Sequence, residues 1–291
     1  MQRYILQSAK IDSHSPFERP ADSRLCGMPP RLLLTLCLIL SMRLDAVEIV
    51  AHRGFSARAP ENTVAAFRMA WDQGTDACEL DLYLTVDGKI AVLHDANTRR
   101  TTGTTLMVAE TTLEALRRLD AGYWKGKPFA GERIPTLAEA LATMPKTAGK
   151  RFLLEIKCGI EVIPALALEL EPWRDRAAQL CIIAFERAVA REAKKALPWL
   201  KVYRLSAEKE QRQPVDLAEL IADTKADGLD GLDLSVKWPW SAEMVQRIKA
   251  AGLEVHVWTV NKAEDVRRLA ALGVDGITTD DPVMAGGALK K

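Results

Sequence analysis

Glu79 and Asp81, two positions apart in "CELDL", stand inside an otherwise apolar run. A strand alternates its faces with a period of two, so both carboxylates share one face. The same parity unites Glu155 and Lys157 in "LLEIK". His52 and Arg53 follow the apolar run "EIVA", and His94 and Asp95 follow "IAVL". Trp258 and Asn261 in "VWTVN" make a further polar cluster. Charged groups in strands are costly to bury unless paired or bound to metal. A salt-bridge network with Arg53 and Lys157 would account for any one cluster. Their joint occurrence points to a site.

Glu79, Asp81 and Glu155, with no Cys or His ligand spacing around them, suit one hard divalent cation bound through oxygen. Mg2+ or Ca2+ fits such a set better than zinc. His52 and His94 are two of only 4 histidines, and histidine exchanges protons near neutral pH. His256, in "EVHVW", shares the parity of Trp258 and is expected near the site without a catalytic role. A phosphodiester is an anion that repels nucleophiles. A cation together with Arg53 and Lys157 would neutralise its oxygens. One histidine would take the proton of the attacking hydroxyl, and the other would protonate the leaving alkoxide. Which does which is open at this stage. No serine elbow, P-loop or HExxH helix competes.

The elements that must position these residues alternate from Val47 onward. Short β-branched runs such as "VEIVAHR", "RFLLEIK" and "LEVHVWTV" are followed by segments with apolar residues at helical spacing. Repeated strand–helix units imply a parallel sheet with helices outside. Counting Val47–Arg53 first and treating "VDGITTD" as closing material gives about eight strands, as in a TIM-like (β/α)8 barrel. An open doubly wound sheet is the alternative, disfavoured because no glycine-rich loop follows the first strand. In such a barrel the clusters converge at the C-terminal mouth.

One unit breaks the rhythm. "LTVDGKI" joins two strand-like runs through Asp87-Gly88, a hairpin signal. A two-residue turn there would pair Val86 with Lys89 and Asp81 with His94, distorting the barrel near its second and third strands. The stretch 97–133 lacks a strand–helix unit and is expected to be a small insertion beside the mouth, within a barrel domain spanning 47–291.

Composition narrows the partners. The chain has 291 residues, 48% of them apolar, and a net charge of +1, with no basic block to attract nucleic acid. Cys78, Cys158 and Cys181 lie in apolar segments at wide spacings and are expected to be buried free thiols. Residues 1–46 differ from the rest. Arg31, the apolar run Leu32–Leu40 and Ala46 resemble a signal peptide at 28–46 if synthesis starts at Met28. A periplasmic or secreted location is therefore expected, with a cytoplasmic one as the alternative. The run is too short to span a bilayer, which needs about 20 residues.

Taken in order, "AHRG", "PENTVAAF", "ELDLYLTVDGKIAVLHD", "RTTG", "FAGERIPTLAEAL", "LLEIK", "VWTVN" and "GVDGITTDDP" resemble the glycerophosphodiester phosphodiesterase family. The resemblance runs from Val47 to about Pro282 and is weakly diagnostic between about Glu161 and Trp240. It implies a TIM-like barrel with a small insertion. It also implies metal-dependent hydrolysis of glycerophosphodiesters to glycerol 3-phosphate and an alcohol. By position, His52 and His94 match the acid–base pair, and Glu79, Asp81 and Glu155 the metal ligands. Arg53 and Lys157 match phosphate contacts, Glu61 shapes the mouth, and Trp258 walls the substrate pocket. Asn62 is also a candidate cap for the first helix. Two rival readings are weighed. One is a related enzyme acting on lysophospholipid or phosphatidylinositol-type lipids, for which Tyr123, Trp124, Phe129 and "KWPW" could form an apolar rim. The other is a catalytically silent phosphate-binding barrel, which has no need of both histidines.

Overall fold

The structure, a computed structural model, describes residues 47–210 and 213–290. The leader at 1–46 and its signal-peptide reading lie outside the described residues. Eight parallel strands close into a barrel: β1 (Glu48–Ala51), β2 (Ala77–Leu84), β4 (Arg151–Ile156), β5 (Leu180–Ala184), β6 (Lys201–Ser206), β9 (Gly231–Ser235), β10 (Glu254–Trp258) and β11 (Gly276–Thr279). Closure comes from β1, which pairs with β11 on one side and β2 on the other. The expected (β/α)8 barrel is therefore present. Two strands differ in role from the sequence reading. "VDGITTD" holds a full barrel strand, whereas "KIAVLH" forms β3 (Ile90–Val92), an antiparallel strand outside the ring.

The alternation in β2 shows how a strand can be both charged and well buried. Cys78, Leu80 and Leu82 point outward into the main core cluster, beside Phe67, Trp71 and Phe152. Glu79 and Asp81 therefore point to the barrel axis. Burying a leucine contributes about 1.5–3 kcal/mol, so Leu80 and Leu82 together offset much of the cost of the two carboxylates. A separate cluster of Val50, Ala77, Leu153, Cys181, Ile183, Tyr203 and Leu205 packs the barrel interior.

Two turns set the mouth. After β1, Arg53 and Gly54 both have positive φ, +54° and +78°. A Cβ on Gly54 would stand 2.6 Å from the carbonyl carbon of Ala66, so only glycine lets this loop lie against helix Val64–Asp72. That helix is capped by Thr63, whose side chain accepts from the Ala66 N–H at 3.2 Å. Asn62, the expected cap, does another job described below.

The β2–β3 hairpin forms, with a register one residue from that expected. Leu84 pairs with Ile90 and Leu82 with Val92, so the N–H of Leu93 reaches the Asp81 carbonyl at 3.1 Å. His94 lies one place further on. The cause is the turn. The Thr85 hydroxyl donates to Asp87 at 2.6 Å and accepts from the Lys89 N–H at 3.0 Å, which closes a five-residue loop instead of a two-residue one. Between β3 and β4 the chain carries only short helical turns, including Tyr123–Lys125 and Lys127–Phe129, and the helix Leu137–Leu141.

Candidate active site

The C-terminal ends of the barrel strands surround a cavity of about 310 Å³ lined by His52, Arg53, Glu79, His94, Glu155, Lys157, Asp233 and Trp258, among others. Of the sequence-nominated groups, His52, His94, Glu79, Glu155, Arg53, Lys157 and Trp258 line it, while Asp81 lies beside Glu79 and Glu155, and Glu61 lines a neighbouring cavity. One carboxylate oxygen from each of Glu79, Asp81 and Glu155 can be chosen so that the three lie within 4.8 Å of one another.

Each member is held from more than one element. Asp81 is fully buried, and Asn62 grips it twice. The Asn62 amide donates to Asp81 Oδ2 at 2.7 Å and accepts from the Asp81 N–H at 3.2 Å. Asn62 does this at φ +58°, a conformation asparagine tolerates better than most residues. Glu79 accepts the Arg53 N–H at 2.8 Å. Lys157 donates to Glu155 at 2.6 Å and stands 3.8 Å from Asp81. Arg53 bonds Glu61 at 2.9 Å, with its Nε 3.2 Å from Asp81. Glu61 in turn accepts both terminal nitrogens of Arg100, at 2.6 and 2.8 Å. Glu61 thus shapes the mouth by fixing two arginines.

The electrostatics describe a site short of positive charge. Burial, then repulsion from Asp81 and Glu155, pushes Glu79 well above the usual carboxylate range. Burial and Asp81 push Glu155 up to about 7. Glu79 Oε1 and Asp81 Oδ1 are buried without a hydrogen-bond partner. Buried oxygens left unpaired beside one another are what a hard cation would satisfy, so these residues fit a divalent ion. Burial draws the Lys157 pKa down, but Glu155 and Asp81 outweigh it and hold the group charged.

The two histidines have different surroundings. His52 Nδ1 lies 2.6 Å from Asp280 Oδ1. Burial opposes ionisation of Asp280, yet its bond with His52 holds its pKa down at about 2. Ser56 and Asn261 also donate to this carboxylate, at 3.0 and 2.5 Å. His94 Nδ1 lies 2.7 Å from Asp95, and Asp95 accepts from Arg100 Nε at 2.7 Å. His94 Nε2 lies 3.3 Å from Lys157 Nζ. Burial lowers the His94 pKa, and Asp81 opposes that only in part.

Trp258 lines the cavity, with its Nε1 donating to the Asp233 carbonyl at 3.0 Å and its ring edge-on to Phe185 at 5.4 Å. Other aromatic and histidine expectations need correction. Trp238 and Trp240 are buried, with indole N–H groups on the carbonyls of Ser206 and Ser235. They make no rim. His256 belongs to the opposite end of the barrel, where it meets Arg151 at 3.3 Å and packs on Tyr203. Cys78 and Cys181 are buried free thiols as expected, while Cys158 is only half-buried. The sequence reading missed Asp280 as the partner of His52. The signal was an acid directly after "GITT", hidden by treating that segment as closing material. Arg100 and Asp233 were missed too.

Comparison with known proteins agrees with this geometry. Residues 52–284 match the model of the glycerophosphoryl diester phosphodiesterase family. A glycerophosphodiester phosphodiesterase of Caldanaerobacter subterraneus is 37% identical over 80% of this chain and 94% of its own length. One from Bacillus subtilis is 32% identical over 82% of this chain and 85% of its own. A phosphodiesterase of Oleispira antarctica, solved in complex with the product sn-glycerol-3-phosphate, is 30% identical. It superposes with a TM-score of 0.73 over 84% of this chain and 97% of that one. With the matched region running from His52 through the last barrel strand, this chain belongs to the glycerophosphoryl diester phosphodiesterase family.

Proposed function

We propose that this chain hydrolyses glycerophosphodiesters, such as glycerophosphocholine or glycerophosphoethanolamine, to glycerol 3-phosphate and an alcohol. The observation that carries the reading is the cluster of three buried carboxylates with two unpartnered oxygens, two of whose members, Glu79 and Glu155, line the same cavity as two histidines and two cations.

Glu79, Asp81 and Glu155 would hold one divalent cation, Mg2+ or Ca2+. When bound, it supplies Lewis acidity and charge neutralisation at a phosphoryl oxygen. Arg53 and Lys157 bind the anionic phosphate and stabilise added charge in the transition state. An ammonium donates and never accepts, so the contact between Lys157 Nζ and His94 Nε2 favours a neutral His94. Its proton then sits on Nδ1, facing Asp95. That Nε2 lone pair, which accepts from Lys157 here, suits the general base once Lys157 turns to the phosphate. His52 is oriented through Nδ1 by Asp280, whose other partners are Ser56 and Asn261. His52 is the proton donor to the leaving alkoxide in this reading. The nucleophile whose proton His94 takes is a water or the substrate's own hydroxyl.

The lipid-substrate alternative loses two of its five expected rim aromatics with Trp238 and Trp240 buried, and retains exposed Tyr123 and Trp124 and half-buried Phe129. Among the described residues no helix is long and apolar enough to cross a membrane. We assign the enzyme to the periplasm or exterior on the pattern at 28–46, which N-terminal sequencing of the cell-derived protein tests. The functional test is release of glycerol 3-phosphate from glycerophosphocholine, with and without chelator, for wild type and His52→Ala. Release that ignores both chelator and substitution would reject the reading.

A further inference from the structure

At the floor of the cavity is a carboxylic group that none of the chemistry above uses. Asp233, in the middle of β9, is 1% exposed. Its neighbours Leu232 and Leu234 face the outer helices, so the Asp233 side chain faces the barrel axis and lines the cavity. No donor among the described residues reaches its side chain, and Oδ1 is buried without a partner. Thr278, on β11, lines the same cavity, and its hydroxyl is also buried without a partner. Two elements thus present unsatisfied polar atoms to one space, although buried polar groups are nearly always hydrogen-bonded. The rest of that wall is apolar: Ile183, Phe185, Leu205 and Trp258.

Asp233 is not one of the carboxylates close enough together to share a cation. Burial, and after it the charge of Glu155, pushes its carboxyl well above the usual range. A neutral acid both donates and accepts, as does the threonine hydroxyl. Such a pair complements neutral hydroxyls and offers nothing to a second anion.

We propose that Asp233 and Thr278 form a hydroxyl-recognition subsite at the cavity floor, which reads the free hydroxyls of the arm that stays on the phosphate. The inference rests on the phosphodiesterase reading and deepens it. The apolar wall would pack the carbon chain while the two polar atoms read its oxygens. A site built to hydrogen-bond a hydroxyl rejects an analogue that lacks it, because its own groups are then left unpaired. Discrimination by Asp233 and Thr278 is therefore specificity, and neither residue takes part in proton transfer.

The test compares kcat/KM for glycerophosphoethanolamine with kcat/KM for the two deoxy analogues that each lack one glycerol hydroxyl. Wild type should prefer the glycerol compound by about tenfold or more over at least one analogue. In Asp233→Leu and in Thr278→Val that preference should fall toward one. Asp233→Leu should melt at or above the wild-type temperature, because it loses no partner within the protein. A preference that stays at the wild-type value in both variants would overturn the proposal, as would a wild type that does not discriminate. If Asp233→Leu fails to fold, Thr278→Val decides by the same ratio. Chelator-sensitive release of glycerol 3-phosphate from glycerophosphoethanolamine by wild type gauges the underlying reading separately. Its absence removes that reading, whereas its presence with an unchanged ratio removes only the subsite.

Discussion

Asp280 Oδ1 lies 2.6 Å from His52 Nδ1, although 228 positions separate the two residues in the chain. A carboxylate in that place fixes the imidazole's orientation. Asp280→Asn keeps the shape and removes the charge. The expected result is a fall in kcat on the order of 10²-fold, the scale of a general acid's contribution, with KM changed little. A fall confined to KM would place Asp280 in binding instead.

The same pair makes a prediction about acid stability. The folded pKa of Asp280 is about 2, against about 3.9 for an unfolded aspartate. A depressed folded value means the contribution is full above about pH 4 and disappears as the pH falls toward 2. Urea midpoints of wild type and Asp280→Asn should therefore differ by a constant amount above pH 4 and converge below it. Since the Asp280 side chain is 36% exposed, solvent screening keeps this difference small.

Glu79→Gln separates metal binding from folding. The three carboxylates repel one another without a cation, and glutamine preserves an acceptor for the Arg53 N–H. The variant should melt roughly 2–4 °C higher than wild type in chelator, the shift expected for about 1 kcal/mol in a domain of this size. It should also lose the rise in melting temperature that Mg2+ or Ca2+ gives wild type. Calorimetry with and without the ion checks both arms.

Asn62 combines two functions that substitution can split. Asn62→Gly accepts the positive φ and removes both bonds to Asp81, at a cost of about 1–3 kcal/mol. Asn62→Ala removes the same bonds and adds left-handed strain, about 1–2 kcal/mol more. Denaturation midpoints should rank wild type, then glycine, then alanine. Equal glycine and alanine variants would mean that the loop relaxes out of its φ.

At the other end of the barrel, a Cβ on Gly276 would meet the His256 ring at 2.2 Å. Gly276→Ala should therefore destabilise by about 1–3 kcal/mol or prevent folding, as overpacking does in a close-fitting interior. Adding His256→Ala to it should recover part of the loss, a coupling visible in a double-mutant cycle.

The eight-fold alternation and the strand-end acids were legible because the pattern repeats. Parity alone placed Glu79 with Asp81 and Glu155 with Lys157. Register was harder. Asp87-Gly88 announced a hairpin, but the side chain of Thr85 decided the loop length, and local composition carries no mark of that. Helix capping failed for a related reason. Asn62 and Thr63 are both good caps, and the choice between them follows from Asp81, which lies 19 positions away. Asp280 and Asp233 each appear as one acid beside or within an apolar run. Their meaning depends on what the closed ring places opposite them.

Ring closure has a consequence for synthesis. The strand leading to His52 is the first of the barrel, and the strand leading to Asp280 is the last. A chain still emerging from the ribosome can bring together Glu79, Asp81 and Glu155 of β2 and β4 while His52 still lacks its Asp280 partner. The mouth is therefore incomplete until β11 slots between β1 and β10, and closing the ring is the step that joins the two ends of the chain at His52.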